Sequence, residues 1–271
     1  RTTDETGHTT MKPVSWDYRF SNLCNFKCRT CGDMLSSSWE SEQRQHKMVD
    51  WNNPKNGWMI PEIRQEISAF QDSQIEAEFA QAVEEHRIEE IYWVGGEPLM
   101  YEQHWRYMKR LVELGDGPRV YARYNTNMSR IEYKGVNLFT DILAHIRDWQ
   151  ICASIDGTGT IGEYIRTGMD YAQFRENFEA GLIYTRKKFS TRQMRLDFTL
   201  TLPGMFEIVK MEQLAREYDV ELLAKVIFSF GPDIIMSPLS LPRPLLDAWI
   251  DEIAPQCQTR VMRDMLTQLK S

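Results

Sequence analysis

From residue 14 onward, short apolar runs alternate with longer stretches in which apolar side chains recur every three or four positions. The short runs predict strands over 14–21, 90–94, 120–124, 150–155, 194–201 and 223–230. The longer stretches predict amphipathic helices. In 73–87, Ile75, Phe79, Ala82 and Val83 fall on one face beside a strongly acidic one, and 103–114, 139–147, 171–187 and 206–218 read the same way. A last helix is expected to start after 242–244 and run towards 269, with a break at Pro255. The stretch 50–57, rich in Asn, Pro and Gly, reads as flexible.

Six strands separated by helices describe repeated βαβ units and a mainly parallel sheet. Parallel strands covered by helices on both faces are apolar on both, and several strands here are not. One parity of 194–201 carries Arg195, Asp197, Thr199 and Thr201, and the other carries Leu196, Phe198 and Leu200. Arg123, Asn125 and Asn127 share a parity, as do Cys152, Ser154 and Asp156, and Asp17, Arg19 and Ser21. A curved or barrel-like sheet accounts for this, with its convex face against helices and its concave face lining a polar chamber. An antiparallel sheet with one solvated face is the alternative, and the intervening helices weigh against it.

Composition narrows the class. The chain has 271 residues, 42% of them hydrophobic and 26% charged, which excludes a disordered or collagen-like protein and suits one large domain or two small ones. No apolar run approaches the roughly 18 residues that cross a bilayer. The 32 basic and 39 acidic residues leave a net charge of −7, which disfavours broad binding to phosphate backbones, so a nucleic-acid partner is not expected. The first residue is Arg and no signal-like segment follows, so the chain is expected to be trimmed at its start and the protein to be cytoplasmic.

Three of the five cysteines, Cys24, Cys28 and Cys31, crowd together directly after the first strand. Such crowding points to a metal site in a reducing compartment rather than to disulfides. The spacing can hold three corners of one compact cluster. A four-iron cluster on three cysteines leaves one iron open to an external ligand, and that suggests chemistry. A structural zinc site wants four protein ligands. Here it would have to be completed by His8, His46 or a distant cysteine, because Cys152 and Cys257 stand alone. The second strand runs into Gly95, Gly96, Glu97 and Pro98. Its glycines let backbone approach a ligand closely, and Glu97 offers a carboxylate to an ammonium group.

With these two motifs in that order, the chain resembles the radical S-adenosylmethionine (radical SAM) superfamily. Cys24, Cys28 and Cys31 match its cluster loop, and Gly95–Pro98 its methionine-binding turn. The runs Tyr124-Asn125-Thr126-Asn127, Ser154-Ile155-Asp156-Gly157 and Tyr164-Ile165-Arg166 further resemble the branch that carries SPASM or twitch extensions. The resemblance covers about 14–230 and implies an α/β fold, an incomplete (βα)6 barrel with a C-terminal helical extension. It divides the chain into an N-terminal tail (1–13), a partial barrel (14–235) and a helical extension (236–271), which is either all that replaces a lost auxiliary domain or the start of a truncated twitch-like region.

The resemblance also implies function. The three cysteines would hold a [4Fe-4S] cluster, and S-adenosyl-L-methionine would be cleaved to a 5′-deoxyadenosyl radical that takes hydrogen from a peptide or small metabolite. A reductant such as flavodoxin or ferredoxin would supply the electron. Glu97, with Gly95 and Gly96, would receive the methionine ammonium, Arg166 its carboxylate, and Asn125, Asn127 and Ser154 ribose or carboxylate groups. Read by itself, Arg166 has a surface arginine on a short helix as its lesser alternative, and Asn125 and Ser154 are equally ordinary strand residues. Two departures stand out: Thr30 replaces the aromatic residue that often precedes the third cysteine, and Cys152 and Cys257 are too few for a second cysteine-bound cluster. An RNA-modifying enzyme and a non-enzymatic metal-binding protein are the competing readings.

Overall fold

The computed structural model describes residues 3–19, 21–185, 193–227 and 236–270. Its strands are β1 (Ser15–Tyr18), β2 (Lys27–Cys28), β3 (Glu90–Trp93), β4 (Tyr121–Thr126), β5 (Glu132–Tyr133), β6 (Val136–Asn137), β7 (Asp148–Ile155), β8 (Arg166–Thr167), β9 (Met194–Leu200) and β10 (Glu221–Val226). Six of them form one sheet in the order β1-β3-β4-β7-β9-β10, with every neighbouring pair parallel. The antiparallel alternative is thereby excluded for these strands. The last run was expected to reach 230, and residues 228–230 lie outside the described ones.

The helices among the described residues are α1 (Ser37–Gln45), α2 (Pro61–Phe70), α3 (Glu76–Glu84), α4 (Glu102–Glu113), α5 (Gly159–Ile165), α6 (Tyr171–Leu182), α7 (Ile208–Glu217), α8 (Arg243–Ile253) and α9 (Arg260–Lys270). The pause at Pro255 appears as a 3₁₀ turn over Ala254–Gln256. The helix expected over 73–87 is the second half of a longer one. A π-turn at Gln71–Ile75 joins α2 to α3. α1 escapes a periodicity search because Trp39 is its one apolar side chain. The stretch 139–147 forms no α-helix. Asn137 caps the amides of Phe139 and Thr140, and a π-turn and a 3₁₀ turn bury Leu138, Phe139, Ile142 and Leu143 before β7 begins.

The alternation along the strands separates two environments. Ala122, Tyr124 and Thr126 are buried on the helix side of β4, and Tyr121, Arg123 and Asn125 are half-buried on the other. The helix side carries the core. Tyr18 and Trp93 lie with ring centroids 4.6 Å apart, and Phe79 of α3 sits 5.0 Å from Tyr107 of α4. Leu246, Ile250, Met262, Met265, Leu266 and Leu269 of the last two helices belong to the same apolar cluster as the sheet. Glu212 on α7 fixes their approach: its buried carboxylate accepts the backbone N–H groups of Gln258 and Thr259, each at 2.8 Å, and the Thr259 hydroxyl, where α9 begins. No described helix is long and apolar enough to cross a membrane.

Candidate functional site

The loop that carries the cysteines leaves β1, and three attachments hold it in addition to the contacts of Asn25 beyond the end of β4. Residues 27 and 28 pair antiparallel with 167 and 166, so Cys28 stands opposite Arg166. The start of α1 supplies the second. Ser36 donates to the Phe26 carbonyl at 2.5 Å and accepts from Trp39 N as the helix N-cap, Ser37 and Ser38 donate to the Cys24 carbonyl, and the Trp39 indole donates to the Cys28 carbonyl at 2.8 Å. The glycine turn is the third. Gly96 N donates to Ser21 O at 3.1 Å, and Glu97 N donates to Leu23 O at 2.7 Å.

The two glycines serve this last contact. A Cβ on Gly96 would meet the Asn22 carbonyl carbon at 2.7 Å and stand closer still to Leu23 O. Gly95 has φ +118°, and a Cβ there would meet the Tyr101 hydroxyl at 2.7 Å. The close approach therefore joins the turn to the cysteine loop itself, in addition to facing a cavity. Tyr101 locks it, accepting from Gly96 N at 2.8 Å and donating to Ser21 O at 2.7 Å.

Glu97 is 1% exposed. One of its carboxylate oxygens accepts from Thr126 Oγ1 at 2.6 Å and Leu99 N at 3.0 Å, the other from Asn127 N at 2.6 Å. Burial pushes the carboxyl up to about 7, against three donors that favour its ionised form. One acceptor position remains on the oxygen that Asn127 contacts. Asn127 is likewise engaged, donating to Asn25 Oδ1 at 3.0 Å and accepting from Ser129 N at 2.9 Å.

Cys24, Cys28, Cys31, Gly95, Gly96, Glu97, Asn125, Asn127, Ser154 and Arg166 all line one cavity of about 330 Å³, and Pro98 does not. Pro98 is buried at the start of a 3₁₀ turn (Pro98–Met100). Asn125 accepts from the Tyr92 hydroxyl at 3.0 Å. Arg166 is buried rather than on the surface and is paired with Asp156: Nη2 donates to Oδ1 at 3.0 Å, and Nε stands 2.9 Å from Oδ2 as an ion-pair contact without hydrogen-bond alignment.

The thiols differ. Burial pushes Cys24 up to about 11. The Cys28 thiol hydrogen-bonds Cys31, which lowers Cys31 and raises Cys28 relative to an ordinary thiol. His8 and His46 are exposed, and among the described residues no three His, Cys, Asp or Glu side chains are grouped to hold a single metal ion. Three soft thiols lining one cavity suit an iron–sulfur cluster, whose corners are spread more widely than the ligands of one zinc.

A second cavity, also of about 330 Å³, shares Asn125, Asp197 and Lys225 with the first and is lined further by Arg123, Cys152 and Arg195. Its charges are largely paired within the chain. Asp197 holds Lys225 at 2.7 Å, Glu90 holds Arg123 at 3.1 Å, and Glu221 holds Arg195 at 3.0 Å. Asp17 and Arg19 likewise pair with each other, at 2.5 Å. Cys257 lines neither cavity. Ser36, Ser37, Ser38, Trp39, Tyr101 and Thr126 were not singled out from the sequence. The serine run ahead of a helix was the available signal, Thr126 lay inside the run Tyr124-Asn125-Thr126-Asn127 without a role of its own, and Tyr101 left no signal.

No protein-family model matches the sequence, and no curated protein matches it. Among solved structures, the fold is similar to SuiB of Streptococcus suis bound to S-adenosylmethionine, with 15% identity and a TM-score of 0.51 over 90% of this chain and 48% of that one. It is equally similar to SuiB bound to its precursor peptide SuiA, with 14% identity and a TM-score of 0.51 over 90% of this chain and 47% of that one. The chain thus has an α/β fold, built on a parallel six-stranded sheet, that is similar to the fold of SuiB. It spans about half the length of SuiB.

Proposed function

We propose that the chain is a radical SAM enzyme that acts on a peptide or small metabolite. One observation carries the reading: the cysteine loop and the glycine turn, far apart in sequence, are bonded to each other and line a single cavity. In this reading the sheet curls as an incomplete (βα)6 barrel, with β1 and β10 as its unpaired edges and the polar parity inside. The helices α8 and α9 begin a twitch-like extension.

A [4Fe-4S] cluster held by Cys24, Cys28 and Cys31 would supply an electron for cleavage of S-adenosyl-L-methionine to methionine and a 5′-deoxyadenosyl radical, which takes a hydrogen atom from the substrate. The chain's own residues bind and orient. Gly95 and Gly96 offer backbone carbonyls, and Glu97 its last acceptor position, to the methionine ammonium. Asn125, Asn127 and Ser154 lie along the cavity for the ribose and carboxylate groups. Arg166 has guanidinium hydrogens beyond those given to Asp156, enough for a one-armed contact to a carboxylate. The second cavity, adjoining through Asn125 and Asp197, suits the substrate. SuiB bound to a precursor peptide supports a peptide. The electron would come from a flavodoxin or ferredoxin.

Anaerobic reconstitution is expected to load about four irons per chain and to yield 5′-deoxyadenosine from S-adenosyl-L-methionine when dithionite is present. Cys24→Ala, Cys28→Ala and Cys31→Ala should each abolish both. A fully loaded chain that never cleaves the cofactor would overturn the reading.

A further inference from the structure

Arg166 and Asp156 form a buried ion pair beside a cysteine, and neither a packing nor a ligand-gripping role uses all of its geometry. Asp156 is 0% exposed and Arg166 9%. Asp156 Oδ1 accepts from Arg166 Nη2 at 3.0 Å and from Thr199 N at 3.1 Å, so the carboxylate is anchored to β9, and Oδ2 faces Nε at 2.9 Å as an ion-pair contact. The third nitrogen, Nη1, lies 4.0 Å from Cys28 Sγ. The backbone independently sets the same relationship, because Cys28 and Arg166 are cross-strand partners in the β2–β8 pair and Arg29 N donates to Ile165 O at 2.8 Å.

We propose that Asp156 and Arg166 form a positioning pair that aims a fixed N–H donor and positive pole at the Cys28 sulfur, setting the reduction potential of the cluster that Cys28 would help to hold. This rests on the cluster reading above. Away from water the near, positive end of this pair acts on the sulfur with little solvent screening, and the Asp156 charge offsets it only in part. Donors and positive charge at a cluster sulfur favour the form that carries the extra electron. Asp156 is needed because a buried guanidinium with no counter-charge is costly, and a flexible one would not hold its direction. The pairing also explains why Arg166 is not free for a two-armed grip on a ligand carboxylate.

Arg166→Gln alone would strand Asp156 as a bare buried charge, so the test uses the neutral, near-isosteric double variant Asp156→Asn/Arg166→Gln. Both chains are reconstituted to equal iron content, checked for equal melting behaviour, and titrated anaerobically without S-adenosyl-L-methionine while the reduced cluster is followed by electron paramagnetic resonance. The midpoint of the double variant is expected to be more negative than that of the unaltered chain. An equal midpoint overturns the inference and leaves the cluster reading standing; an unaltered chain that takes up no cluster overturns both. Should the double variant not fold, the unaltered chain with isotopically labelled arginine decides. Pulsed resonance of the reduced cluster should record coupling to a guanidinium nitrogen, and the absence of any such coupling overturns the proposal.

Discussion

The carboxylate of Glu97 accepts the backbone N–H of Asn127 at 2.6 Å, so the turn after β3 is fastened to the end of β4 by a side chain that is itself buried. The same turn is bonded through its backbone to Leu23, one residue before the first cysteine of the triplet. A carboxylate in a glycine-rich turn thus ties together the segments that line the cavity, as well as lining it itself.

Glu97→Gln should therefore cost stability even without any ligand. An amide cannot accept from Thr126, Leu99 and Asn127 with both of its heavy atoms, and one buried donor is left unpaired. The expected loss is about 1–3 kcal/mol, read from urea unfolding of the cluster-free chain.

Glu97 and His104 should give the stability profile two opposed slopes. Burial raises Glu97 to about 7, so its contribution is fully present below the unfolded carboxyl value and is lost as pH rises through 7. Burial lowers His104 to about 3, so its contribution is present above the unfolded imidazole value of 6.5 and is lost as pH falls towards 3. His104 also contacts the Tyr124 hydroxyl at 3.1 Å. The double variant His104→Phe/Tyr124→Phe should flatten the acid limb by about 1.4 kcal/mol per pH unit within that window, measured by denaturant midpoints from neutral to mildly acidic pH. An acid limb as steep as that of the unaltered chain would refute the assignment.

Gly96→Ala should separate the turn from the cysteine loop, because its methyl would enter space held by Asn22 and Leu23 backbone. A destabilisation of roughly 1–3 kcal/mol and reduced iron uptake are expected. Gly57→Ala is the control, since no atom lies within 4 Å of its added Cβ and its φ is ordinary. Equal behaviour of the two variants in thermal melts and iron analysis would count against the contact.

Glu212→Ala should loosen the end of the chain while leaving the sheet intact. It removes the acceptor for Gln258 N, Thr259 N and the Thr259 hydroxyl, which together set the start of α9. Limited proteolysis and hydrogen exchange should show faster cleavage and exchange over 258–270, by about tenfold or more for a loss of ~1.4 kcal/mol. Unchanged protection there would refute the anchoring role.

Much of this molecule is written locally. The parity of Leu196, Phe198 and Leu200 against Arg195, Asp197 and Thr199 states which face of β9 meets helices, and the chain order of apolar runs yields the order of strands in the sheet, because consecutive βαβ crossovers place each strand beside the last. The cysteine spacing and the glycine turn after β3 likewise need only short stretches of sequence. α1 was illegible for the converse reason: its contacts are hydrogen bonds from serines to loop carbonyls, which leave no apolar period.

Tertiary structure alone decided the partners. Arg166 reads from sequence as an exposed cation or a ligand grip, and only the packing of α5 and β8 against the cysteine loop buries it between Asp156 and Cys28. Glu97 reads as a ligand carboxylate, yet the end of β4 supplies donors that claim most of it. Periodicity reports which face a residue occupies, because that depends on its neighbours in sequence. Which charge or hydroxyl stands opposite depends on segments brought together only when the sheet closes over its core.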